Sequence, residues 1–86
     1  MISPSVDSIE NEIRLFLKTE ILDQSISFDY NLSFKNLGVD SLALIQIILF
    51  VERKFGIKIA TEDLVPQNLE SVKTIAVFTF NKLENG

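Results

Sequence analysis

At 86 residues the chain has room for one domain, and its 47 % apolar content is that of a globular protein rather than a disordered one. The net charge of −4, from 8 basic and 12 acidic residues, argues against the phosphate neutralisation on which general nucleic-acid binding rests, and it suits basic protein partners. Cysteine and histidine are both absent, which removes disulfides, thiol catalysis, imidazole general-base chemistry and the usual zinc sites.

The opening Met1-Ile2-Ser3-Pro4 lacks the basic start and apolar stretch of a secretory signal, so a cytoplasmic location is expected. The longest apolar run, Ile47 to Val51, is far too short to cross a bilayer, and no membrane association is expected. No internal repeat occurs. The first helix is predicted from Val6 to Leu22, because Val6, Ile9, Ile13, Phe16 and Leu17 recur at helical spacing. Ser5 is its candidate cap, with Ser8 as a competitor. The stretch from Asp23 to Asp40 is long and rich in Ser, Asp and Asn, which marks either a functional loop or a further element. Leu32, Phe34 and Leu37 are expected to pin it to the core.

A second helix is predicted from Ser41 to Phe55, with Asp40 as N-cap accepting from the amide near Ala43. Gly56 should stop it, and Arg53 and Lys54 suit its last turn. Ile57-Lys58-Ile59 reads as an extended connection with Ile57 or Ile59 buried. Thr61 to Leu64 reads as a capped short helix. The last helix is predicted from Ser71 to Leu83, with Val72, Ile75, Ala76 and Leu83 facing inward. No pair of strands is visible, so the class is all-α.

At 100° per residue the second helix is two-faced. Leu44, Ile47, Ile48, Val51 and Phe55 fall within one arc of roughly 100°, a complete core stripe. Leu42, Ile45 and Leu49 fall on the opposite side, beside Gln46, Glu52 and Arg53. A helix apolar on both sides is either sandwiched or carries an interaction surface. A sandwich is hard to build in so small a domain, and the interaction surface is the favoured reading; the first loop folding over Leu42 and Ile45 is the other. Phe50 lies on a flank.

No Gly-rich phosphate loop and no dense carboxylate cluster is present, and Glu62-Asp63 needs only a helix-start explanation. One segment stands apart, Gly38-Val39-Asp40-Ser41-Leu42. It puts a serine hydroxyl just after a helix cap at the end of a long loop, where the helix N-terminus favours a phosphate attached to it. No general base can be assigned to Ser41, so any chemistry there makes the serine a substrate of another enzyme. Otherwise Asp40-Ser41 merely caps a helix.

Leu37-Gly38-Val39-Asp40-Ser41-Leu42 resembles the Leu-Gly-x-Asp-Ser-Leu signature of phosphopantetheine-binding acyl/peptidyl carrier proteins. Glu52-Arg53-Lys54-Phe55-Gly56-Ile57-Lys58-Ile59 resembles the Glu-x-x-Phe-x-Ile-x-Ile stretch that follows in that family. Thr61 to Leu64 matches its short third helix, and Val72 to Leu83 its fourth. The resemblance implies an all-α four-helix bundle with a long first loop, spanning residues 1–86 as one free-standing carrier domain with an ordered core about 5–83. It implies that a phosphopantetheinyl transferase moves a 4′-phosphopantetheine arm from coenzyme A to Ser41, that the arm holds acyl-type cargo as a thioester, and that the chain itself is no enzyme. The magnesium used in that transfer belongs to the transferase complex, and no metal is assigned to this chain.

The residues expected to serve partner recognition are Asp40, Leu42, Ile45, Gln46, Leu49, Glu52 and Arg53. The expected partners are the transferase, a cargo-loading ligase, acyltransferase or adenylating enzyme, and downstream biosynthetic enzymes, met by a monomer. Fatty-acid carriers usually show an acidic second helix, whereas this one has Ala43, Gln46, Arg53 and Lys54 where acids are frequent. That departure leans toward a specialised biosynthetic pathway. An aminoacyl or peptidyl carrier, and an unmodified helical interaction domain, are the alternatives.

Overall fold

The computed structural model describes residues 4–21 and 33–85, and all regular structure within them is helical. Helix α1 runs from Val6 to Phe16, where Ser5 Oγ accepts the Ser8 amide at 3.1 Å. That hydrogen bond settles the cap on Ser5 and leaves Ser8 inside the first turn. The predicted single helix to Leu22 is corrected beyond Phe16: Leu17–Ile21 is a π-helical continuation, and Leu22 lies outside the described residues. The apolar residues Ile9, Ile13, Leu17 and Ile21 recur every four positions and outrun a 3.6-residue period. A wider turn with i→i+5 bonds keeps Ile21 against the core.

Of the three residues expected to pin the first loop, Leu32 lies outside the described residues. Phe34 is buried, and Leu37 is half-buried against the core. Residues 33–38 form a turn in which Phe34 O accepts the amides of Leu37 and Val39. Gly38 closes the turn at φ +80°, in the left-handed region that a side chain disfavours. The Phe34 amide donates to Glu70 O at 2.7 Å, fastening this turn to the segment before the last helix.

Helix α2 spans Ser41–Phe55, as the sequence pattern predicts. Asp40 Oδ1 accepts the Ala43 amide at 2.8 Å, and Gly56 ends the helix at φ +67°. Ile47 and Val51 are fully buried; Leu44, Ile48 and Phe55 are half-buried. Phe50, on the flank, stacks on Phe16 with ring centroids 4.4 Å apart. Ile57 and Ile59 in the following connection are both half-buried.

The short third helix is a 3-10 turn, Thr61–Asp63, with the Ala60 amide donating to Asp63 Oδ2 at 3.2 Å. Asp63 also pairs with Lys82 at 3.2 Å. Helix α3, which follows that short turn and closes the chain's helical order, spans Val72–Asn85. Ser71 caps it rather than beginning it: Ser71 Oγ accepts the Thr74 amide while Thr74 Oγ1 accepts the Ser71 amide. Val72, Ile75 and Ala76 are buried as expected, and Leu83 is half-buried. Thr79 is buried as well, an inward position the apolar pattern does not reveal because a hydroxyl occupies it.

The core is therefore Ile9, Ile13 and Leu17 of the first helix, Ile47 and Val51 of α2, Val72, Ile75 and Ala76 of α3, and Phe34 from the turn. Each large buried aliphatic side chain contributes about 1.5–3 kcal/mol. Glu10, also buried, bonds Arg14 at 3.2 Å and faces Lys73 at 3.8 Å, joining α1 to α3. Among the described residues no helix is long and apolar enough to cross a membrane.

The serine at the start of α2 and its surroundings

Ser41 is the first residue of α2 and is exposed. Its position follows from its neighbours. Gly38 turns the chain, and Val39 is half-buried with its amide held by Phe34 O. Asp40 then takes an extended conformation and commits its carboxylate to the Ala43 amide. The serine hydroxyl takes part in none of these ties and has no hydrogen-bond partner among the described residues. The amides of Ser41 and Leu42 open the helix without intrahelical acceptors, an arrangement that favours a negative group nearby.

Beside Ser41 lies an open groove of about 860 Å³ between the turn of residues 33–38 and the segment from Leu64 to Glu70. Phe34, Val39, Leu44, Leu64 and Leu69 supply apolar walls, and Lys35, Asp40 and Glu70 supply charge. The sequence carries no signal for this groove. It exists because the Phe34–Glu70 backbone bond brings together two segments far apart along the chain.

The expected recognition residues separate into two groups. Leu42, Ile45 and Leu49 are 66, 53 and 48 % exposed, and they form an apolar stripe starting next to Ser41. Gln46 and Arg53 are exposed on the same helix. The first loop thus does not cover this stripe with any described residue. Glu52 is different: it is half-buried, and its Oε2 accepts the Ile59 amide at 2.8 Å. Its carboxylate ties α2 to the connection after it and is not a free charge of the exposed face. Lys54 is likewise engaged, with Glu12 of α1 at 3.2 Å. Arg53 has no ion-pair partner among the described residues.

The helical order and the serine-opened second helix have the form of an all-α carrier domain. The family model described as "Phosphopantetheine attachment site" matches residues 7–77, most of the chain, and the protein belongs to that family. Neither the curated proteins nor the solved structures compared with the chain gave a match. Domains of this family carry covalently attached 4′-phosphopantetheine, and members are non-catalytic substrates of phosphopantetheinyl transferase. The residues here fit such a group: an exposed hydroxyl, without a hydrogen-bond partner among the described residues, stands at a helix N-terminus with an open groove alongside.

Proposed function

We propose that Ser41 bears the 4′-phosphopantetheine arm and that the protein carries acyl-type cargo on it as a thioester between partner enzymes of a specialised biosynthetic pathway. One observation carries this reading: within the span matched by the family, the exposed Ser41 hydroxyl opens α2 immediately after the Asp40 cap. The arm supplies the thiol that this cysteine-free chain lacks. In the transfer the Ser41 oxygen forms a bond to the pantetheine-side phosphorus of coenzyme A, the phosphoanhydride bond breaks, and adenosine bisphosphate leaves. The serine proton goes to a base of the transferase, because Asp40 is committed to capping and no histidine exists in the chain.

The stripe of Leu42, Ile45 and Leu49, with Gln46 and Arg53 at its margins, is the proposed docking face. Any enzyme acting on the arm must approach the Ser41 end of α2, and apolar area covered there contributes about 25 cal/mol per Å² before ordering costs. Glu52 is left out of this face because the Ile59 amide holds it. The test is intact mass after incubation with a broad-specificity phosphopantetheinyl transferase and coenzyme A, on the natural chain and on Ser41→Ala.

A further inference from the structure

The groove beside Ser41 has an unequal charge distribution. Of its described lining residues, Asp40 and Glu70 are acidic and Lys35 alone is basic. Lys35 is exposed and has no ion pair among the described residues. Its place is set by backbone rather than by charge: the Gly38 amide donates to Lys35 O, and the neighbouring Phe34 is buried and bonded to Glu70 O. The lysine is thus anchored at its backbone, lines the groove that Ser41 shares, and has a side chain with no partner among the described residues.

A phosphodiester on Ser41 adds one negative charge next to the Asp40 carboxylate. Asp40 cannot turn away without giving up the Ala43 amide. The N-terminal amides of α2 offset part of that repulsion, and a mobile ammonium on the same groove offsets more. We infer that Lys35 is a positioning residue for the arm: its ammonium pairs with the Ser41-linked phosphodiester and holds the first part of the arm along the groove between Leu44 and Leu69. The inference rests on the attachment proposed above. Lys35 takes no part in bond making. Its role is to restrict where the arm leaves the protein.

The test uses the full chain in unmodified and modified forms, with intact mass recorded first. In the modified protein the side-chain methylene resonances of Lys35 should move relative to the unmodified form, while those of Lys58, beyond the other end of α2, should not. The phosphorus resonance of the arm should move in Lys35→Gln and return toward its original position in Lys35→Arg. Both effects should shrink in 1 M salt, where the Debye length is about 3 Å. Lys35 is exposed, so neither variant should unfold, and thermal melting checks that. Mass gain with unmoved Lys35 resonances, or with an identical phosphorus resonance in Lys35→Gln, would overturn the pairing alone. Absence of mass gain would remove the attachment and the pairing with it.

Discussion

Leu49 and Val51 sit two residues apart on α2, and one substitution made at each separates a docking face from a core. Val51 is fully buried. A glutamate there leaves a carboxylate without a partner in the cluster that holds Ile9, Ile13, Ile47 and Ile75, at a cost of several kcal/mol beyond the lost packing. For 86 residues the whole stability should be about 4–13 kcal/mol. Val51→Glu should therefore leave the chain largely unfolded at ambient temperature. Leu49 is already 48 % exposed, so its replacement by glutamate forfeits about half of a leucine's burial, roughly 1 kcal/mol. Nothing else in the substitution adds to that cost. Leucine and glutamate have similar helix propensity, and the introduced carboxylate would stand one turn before Arg53, a pairing that stabilises by about 0.2–0.5 kcal/mol. At about 4–8 °C per kcal/mol for a domain of this size, Leu49→Glu should melt within about 8 °C of the natural chain. Circular dichroism melts of both variants, with loading rates of the modified protein, make the comparison. Loading should fall for Leu49→Glu despite its retained fold. A Leu49→Glu protein that unfolds like Val51→Glu, or one that keeps both fold and full loading, would refute the docking face.

Removing the cap in Asp40→Ala should cost about 0.5–2 kcal/mol, read as a lower denaturation midpoint, since the Ala43 amide loses its acceptor. Glu52→Ala should destabilise by about 1–3 kcal/mol by stranding the part-buried Ile59 amide; a midpoint equal to that of the natural chain would return Glu52 to the free surface charges. The modified protein should be a weak substrate for enzymes of primary fatty-acid elongation, because its described α2 face presents Arg53 and no free carboxylate beyond the cap, and charge complementarity governs encounter. Turnover equal to that of an acidic carrier at physiological salt would contradict that expectation.

Much of this arrangement is legible in the chain. Asp40, Gly56 and the 3.6-residue apolar period bound α2 to the residue, because cap, stop and stripe all act locally. The two faces of α2 follow from the same period. Ser41 stands out for its place behind the cap, and its chemistry then comes from the resemblance. The features that escape such a reading depend on contacts across the chain. The π-helical turn after Phe16 answers a four-residue apolar spacing that only burial against other helices enforces. Glu52 looks like a free charge until the backbone of Ile59 is placed beside it. Lys35 gains meaning only when the Phe34–Glu70 bond closes the groove on Ser41. Thr79 is hidden by its hydroxyl, although its position four residues after Ile75 lies on the inward face.

The attachment at Ser41 is the claim on which the others depend, and intact mass tests it most directly. Natural chain and Ser41→Ala are each incubated with coenzyme A and a broad-specificity phosphopantetheinyl transferase, then weighed by mass spectrometry. The natural chain should gain one phosphopantetheinyl group. Ser41→Ala should gain none while melting at nearly the same temperature, because Asp40 still caps α2 and the lost hydroxyl makes no hydrogen bond among the described residues. A natural chain that stays unmodified, or a Ser41→Ala chain that still gains the group, would contradict the account.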